Sequence, residues 1–145
     1  MDFGCVYKGF LSDMTRTLYF GTPTEKFLTV YDKVKTAHLT AVKNITSGMT
    51  CKQADAIARD LLKKDGLDKF FTHSLGHGIG VKIHEYPSLS PRCGEILKDG
   101  AVFSVEPGVY LEGEFGIRIE DTVTLVNGKC VSLMKSDKDL LVIKG

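Results

Sequence analysis

The pattern of apolar and polar positions divides the chain into an extended start, two helices and an extended second half. Asp2 to Phe10 and Asp13 to Phe20 are rich in β-branched, aromatic and small residues, which predicts two strands with a bend at Leu11-Ser12. Gly21-Thr22-Pro23 stops the second of them. From about Thr24 to about Ile45, the residues Phe27, Val30, Tyr31, Val34, Ala37, Ala41 and Ile45 recur at steps of three and four. That is the apolar stripe of one long amphipathic helix, ended by Ser47-Gly48. A second helix starts near Thr50, where Thr50 and Gln53 have capping-box spacing. It buries Ala54, Ile57, Ala58, Leu61 and Leu62 and stops at Gly66. Beyond Phe70 the pattern turns extended again, with strands predicted over Gly78 to His84, Ala101 to Leu111, Gly116 to Val126 and Lys129 to Met134. Asn127-Gly128 joins the last two as a type I′ hairpin turn. Strands, two helices and then a mainly antiparallel set of strands predict a single α+β domain over residues 1–145.

Composition narrows the function. With 145 residues, 43% of them hydrophobic and 26% charged, the chain is long enough to bury a core. Nineteen basic against eighteen acidic residues leave a net charge of +1, so neither nucleic acid nor an anionic membrane is an expected partner. No apolar run approaches the length of a membrane span, and Met1-Asp2-Phe3-Gly4 lacks the basic-then-apolar pattern of a signal peptide. The four cysteines, Cys5, Cys51, Cys93 and Cys130, are far apart and form no CxxC pair. Disulfides and a cysteine zinc site are therefore not expected, and the cytoplasm is the expected compartment.

The chemistry lies in polar residues placed where the pattern calls for apolar ones. Asp2 and Asp13 sit in strand-like surroundings on either side of a bend, which would turn both carboxylates toward one point. In His73-Ser74-Leu75-Gly76-His77-Gly78-Ile79-Gly80-Val81-Lys82-Ile83-His84-Glu85, three of the four histidines fall within twelve positions, interleaved with glycines that let backbone approach a ligand closely. His77 and His84 are too far apart to be neighbours on one strand, so one can hold a metal while the other reaches substrate. Glu106 interrupts the apolar strand Phe103-Ser104-Val105-Glu106-Pro107-Gly108-Val109-Tyr110. Arg118 and Glu120 share one face of Gly116-Ile117-Arg118-Ile119-Glu120-Asp121, alternating with Ile117 and Ile119. Buried carboxylates cost several kcal/mol each unless paired. Asp2, Asp13, Glu106 and Glu120 gathered beside one imidazole, His77, cannot all stay ionised without cations. Two divalent ions and one hydroxide bring such a site near neutrality. Its oxygen-rich donors with a single nitrogen favour manganese, cobalt or iron over a thiolate zinc site, and the arithmetic favours a two-metal hydrolase.

The ordered set Asp2, Asp13, His77, Glu106, Glu120 resembles the dinuclear metallopeptidases of the pita-bread fold, also called the creatinase/aminopeptidase fold. His73 to Glu85, Asp13-Met14-Thr15-Arg16-Thr17, Val105-Glu106-Pro107-Gly108 and Ile117-Arg118-Ile119-Glu120-Asp121 resemble its Xaa-Pro peptidase branch, aminopeptidase P and prolidase. The resemblance covers essentially the whole chain. It implies that Asp13 and Glu120 bridge two divalent ions, manganese first with cobalt, zinc or iron as alternatives. It also implies that Asp2 chelates one metal, while His77 and Glu106 bind the other and Glu106 takes a proton from the attacking water. By the same resemblance His84 hydrogen-bonds the scissile carbonyl, His73 lines the proline pocket, and Arg118 orders substrate and Glu120. The implied partner is a proline-containing peptide, and the implied assembly is a homodimer. Family members place two helices, a hairpin and usually a separate domain ahead of the first aspartate. The chain is therefore expected to be the C-terminal part of a larger catalytic domain and inactive by itself. The alternative, a non-catalytic pita-bread fragment or peptide-binding module, fits less well because such modules typically lose metal ligands and all five are present here.

Overall fold

The computed structural model describes residues 1–144. The first twenty residues form a two-stranded ribbon rather than two long strands. β1 (Asp2–Phe3) pairs antiparallel with β4 (Met14–Thr15), and β2 (Val6–Tyr7) continues in the same register against β3 (Phe10–Leu11). The bend expected at Leu11-Ser12 lies instead at Lys8-Gly9. Both residues have positive φ there, 50° and 86°, as a type I′ hairpin turn requires. β5 (Leu18–Phe20) then leads into the helices.

Both helices sit where the apolar periodicity places them. α1 (Glu25–Asn44) is capped by Thr24, whose side chain accepts from the Phe27 N–H, and it buries Phe27, Val30, Tyr31, Val34, Ala37 and Ala41. The stripe also buries His38, which the apolar count passes over. α2 (Cys51–Lys64) carries the full Thr50–Gln53 capping box. Ala54, Ala58 and Leu62 are buried, whereas Ile57 and Leu61 are only half-buried.

The second half is more finely divided than the hydrophobic pattern suggests. A five-stranded antiparallel sheet runs in the order β12-β11-β8-β6-β7, built from β6 (Gly76–Gly78), β7 (Glu85–Leu89), β8 (Val102–Val105), β11 (Asp121–Val126) and β12 (Lys129–Ser132). β9 (Gly108–Leu111) and β10 (Phe115–Arg118) form a separate hairpin. The predicted strand over Gly78 to His84 is a loop, because the register slips after His77 and Glu85 pairs back onto Gly78. The predicted strands over Ala101 to Leu111 and Gly116 to Val126 each break in two, one at Glu106-Pro107 and the other at Ile119-Glu120. Asn127-Gly128 makes the expected hairpin, with φ of 51° and 78°. β13 (Leu141–Ile143), which the pattern does not predict, pairs parallel with β5. The helices pack on the sheet over one core that includes Ile45, Leu62, Leu75, Phe103, Val105, Ile117, Ile119 and Val123.

Candidate metal centre

Each acidic side chain of the site projects from a ribbon end or a strand break. Asp2 lies directly opposite Thr15, and Asp13 is two residues back along the same strand segment as Thr15. Strand alternation therefore puts all three on one face. Glu106 follows the end of β8, where its N–H donates to the Leu75 carbonyl at 2.8 Å. Glu120 precedes β11, where its N–H donates to the Thr15 carbonyl at 3.1 Å. The breaks aim these carboxylates inward.

Asp13, His77 and Glu120 each offer a ligand atom within 4.8 Å of the others, the spacing of a shared cation site. His77 Nε2 is also 3.3 Å from Glu106 Oε1 and 3.7 Å from Asp13 Oδ2. The His77 Nδ1 stands 3.1 Å from the Gly78 carbonyl. A carbonyl only accepts, so Nδ1 carries the proton and Nε2 faces the carboxylates with its lone pair. Asp2 stands apart. Its side chain is 55% exposed and ion-paired with Arg118, at the rim of a cavity of about 580 Å³. That cavity is lined by Asp13, His77, His84, Glu106, Arg118 and Glu120 as well.

The charge balance of this cavity fits a cation. Burial, reinforced by the Glu106 carboxylate, pushes Glu120 up to about 8. Burial likewise raises Glu106 and Asp13 above the ordinary carboxylate range, and Asp2 adds to the rise at Asp13. Burial disfavours the charge on all three carboxyls, and the donor set, three carboxyls around one imidazole lone pair, matches hard divalent cations. These residues fit a metal.

His84 reaches the site by a different route from the one the sequence suggests. The 79–84 loop folds back so that the His77 and His84 rings lie 4.2 Å apart, centroid to centroid. Glu85 closes this loop by accepting from the Lys82 N–H at 2.6 Å. Glycine is required on β6 just ahead of it, since a Cβ on Gly76 would collide with the Ser104 carbonyl and one on Gly78 with the Tyr86 carbonyl. His73 lies one cavity over, in a space of about 440 Å³ that also touches His77, His84, Glu106 and Arg118.

Supporting residues that the motif reading left without a role complete the geometry. Thr15 Oγ1 donates to Glu120 Oε2 at 2.6 Å and accepts from Arg118 Nε at 3.1 Å. Arg118 donates to the Tyr110 hydroxyl at 3.2 Å, and that hydroxyl lies 2.9 Å from His73 Nε2. The His73 Nδ1 faces the Ser74 carbonyl, so Nδ1 carries the proton and Nε2 accepts from Tyr110. Arg118 and His73 are thereby locked in one chain. Ser104 Oγ donates to Glu106 Oε1 at 2.8 Å and accepts from the His77 N–H at 2.9 Å. Thr15 and Ser104 each stand two positions from an acidic residue, Asp13 and Glu106, and the alternation rule could have found both.

A model of metallopeptidase family M24 matches residues 1–127. The chain belongs to that family. It is 42% identical over 141 residues to an Xaa-Pro dipeptidase from Pyrococcus furiosus, covering 97% of this chain and 40% of that protein. Among solved structures, a prolidase from Thermococcus sibiricus superposes with a TM-score of 0.96 at 45% identity, covering 98% of this chain and 39% of that one. An X-Pro aminopeptidase from Thermotoga maritima superposes with a TM-score of 0.94 at 41% identity, covering 98% and 40%. The fold is thus the pita-bread fold expected from the motifs, and the chain spans about 40% of the length of the relatives it matches. Among the described residues, no helix is long and apolar enough to cross a membrane.

Proposed function

We propose that this M24 chain supplies the metal centre and one wall of the substrate pocket of an Xaa-Pro peptidase, as the C-terminal part of its catalytic domain. The observation that carries the reading is the convergence of Asp13, Glu106 and Glu120 around the His77 Nε2 lone pair, in surroundings whose burial raises all three carboxyls. Two divalent cations, manganese before cobalt, iron or zinc, would supply Lewis acidity and a water of lowered pKa there. Asp13 and Glu120 would be shared between the cations, His77 and Glu106 would hold one of them, and Asp2 would join the other after turning from Arg118.

The chain's own groups divide the remaining work. Glu106, raised by burial, accepts the proton of the attacking water. His84 donates to the scissile carbonyl oxygen as negative charge develops on it. His73 walls the proline pocket, and Arg118 is oriented by Tyr110 and Thr15 to hold both the substrate and Glu120. Both a dipeptidase and an X-Pro aminopeptidase lie near 40% identity, so the reading commits to the Xaa-Pro bond and leaves peptide length open. A reducing cytoplasm and a homodimer complete the proposal for the whole protein.

The test is elemental analysis of the complete protein after dialysis against manganese, beside an assay of Xaa-Pro and Xaa-Ala dipeptides. Two metals per chain and selective cleavage before proline are expected. Less than one metal per chain, or equal cleavage of both peptides, overturns the reading.

A further inference from the structure

Two cysteines that are remote in sequence meet at the start of α2. Cys51 is its first residue and fully buried, and its N–H donates to the Glu95 carbonyl at 2.7 Å. The following N–H, of Lys52, donates to the Cys93 carbonyl at 2.8 Å. Thr50 and Ile96 extend the contact as an antiparallel bridge. The first N–H groups of a helix have no partner within it, and the carbonyls of the 93–95 segment satisfy them here. This places the backbone of Cys93 alongside that of Cys51. The Cys93 side chain is a neighbour of the Cys51 thiol. Cys5 has Ser12 as its neighbour at 3.3 Å, and Cys130 sits on β12 with Asp121 as a charged neighbour. Far apart in sequence, Cys51 and Cys93 are thus neighbours in space, and all four cysteines are free thiols.

We propose that Cys51 and Cys93 form a reversible redox pair that closes to a disulfide in the presence of a peroxide. A disulfide requires Cα atoms within about 7 Å, the order of separation that the Lys52–Cys93 backbone hydrogen bond imposes. The two thiols differ in access. Cys93 is partly exposed, whereas burial and the Cys93 neighbour push the Cys51 thiol up to about 12 and keep it protonated. Oxidation therefore begins at Cys93. Its thiolate sulfur attacks one peroxide oxygen, the O–O bond breaks, and hydroxide leaves and takes up the thiol's proton as water. Cys93 is then a sulfenic acid. The Cys51 sulfur attacks the Cys93 sulfur, the S–O bond breaks, and the hydroxyl departs with the Cys51 proton as a second water. Two thiols and one peroxide yield one disulfide and two waters, and a dithiol reductant reverses the change.

The bond would tie α2 to the segment that walls the polar cavity beside His73. That cavity of about 380 Å³ is lined by Arg59, His73, Ser74, Pro91 and Arg92, among others. α2 itself holds this wall, since Arg59 donates to the His73 carbonyl at 2.8 Å and Asp55 accepts from the Leu75 N–H at 3.0 Å. The pair is thus positioned to stiffen one side of the proposed proline pocket. Its chemistry does not depend on the peptidase reading.

The experiment treats the purified protein with hydrogen peroxide, alkylates free thiols, and maps the peptides by mass spectrometry. A Cys51–Cys93 linked peptide is expected, with the intact mass lower by about 2 Da and restored by dithiothreitol. Cys93→Ser should abolish the link and Cys5→Ser should leave its yield within about twofold. In Cys51→Ala, Cys93 should stop at a sulfenic acid that dimedone traps, which keeps the test decisive if the serine variant folds poorly. Recovery of Cys93 as sulfinic acid with Cys51 still open to alkylation after unfolding overturns the proposal, as does a link through Cys5 or Cys130.

Discussion

The His77 and His84 rings stand 4.2 Å apart, although the residues between them read as a strand that would hold them far from each other. The register slip after His77 and the Glu85–Lys82 closure turn that stretch into a loop that returns His84 to the cavity. Of the two, His77 is the ring within 4 Å of the carboxylates, with its Nε2 3.3 Å from Glu106 and 3.7 Å from Asp13. The two rings share a place and differ in their partners, so they should differ in function.

His84→Ala in the complete protein should lower kcat by about a hundredfold or more, the loss typical of an oxyanion donor, and leave metal content unchanged. His77→Ala should lose metal. Parallel elemental analysis and steady-state kinetics check this pair, and equal metal loss in both variants contradicts the division of roles.

The helices were legible because an apolar stripe and a threonine cap state their ends locally. The site was legible as a set of residue types, since carboxylates inside apolar strands are costly without a purpose. Its geometry was not. Glu106 and Glu120 sit at breaks in strands that hydrophobicity alone runs together, because Val105 and Ile119 beside them are as buried as any strand interior. The Lys8-Gly9 turn escaped notice because lysine rarely takes positive φ, whereas Asn127-Gly128 announces itself. Tertiary contacts such as Tyr110 with His73, and Cys51 with Cys93, join residues whose sequence separation carries no signal.

Arg16 is the buried tie behind the carboxylates. Its guanidinium donates to the carbonyls of Thr15 and Glu120, at 2.9 and 2.6 Å, and pairs with the buried Asp121 at 2.7 Å. Asp121 also pairs with Lys138 at 2.8 Å and accepts from Ser132 at 2.6 Å, and these partners hold its carboxyl below the usual range despite burial. Arg16→Met leaves a buried carboxylate short of one of its charged partners and should cost about 3–5 kcal/mol of stability. Arg16→Met with Asp121→Asn should cost less than the sum of the single changes. Urea unfolding of the four proteins measures the coupling, and strict additivity would show that the pair acts independently.

His38 makes stability depend on pH. Burial pushes it down to about 4, only partly opposed by Asp121 at 3.8 Å, while Lys138 and Arg16 also face it with positive charge. The folded chain therefore keeps this ring neutral as pH falls from 6.5 to about 4, whereas the unfolded chain protonates it. Its contribution is intact above pH 6.5 and is lost as the pH falls toward 4. The expected loss is about 2–3 kcal/mol by pH 4.5. Urea melts at pH 7.5 and 4.5 should show a drop smaller by that amount in His38→Leu than in the parent. An equal drop in both proteins assigns the acid sensitivity elsewhere.

The last expectation concerns the 145-residue chain assayed by itself. Val6, Tyr7 and Phe10 are 64–71% exposed on the β2–β3 ribbon, and Met1 and Phe3 add apolar surface beside them. Exposed apolar area of that kind marks a surface meant to be covered. Asp2, the ligand proposed for the second metal, lies on the same ribbon, with its side chain held by Arg118 rather than by the carboxylate cluster. The chain spans about 40% of its relatives' length, so on the proposed reading a protein of that full length would order Asp2 and supply the opposite wall of the pocket. Supplied with manganese, the isolated chain should bind less than two metals and hydrolyse Xaa-Pro dipeptides at least a hundredfold more slowly than the complete protein, about 2.7 kcal/mol in activation free energy. Turnover within tenfold of the complete protein would show that this chain alone organises both metals and the proline pocket.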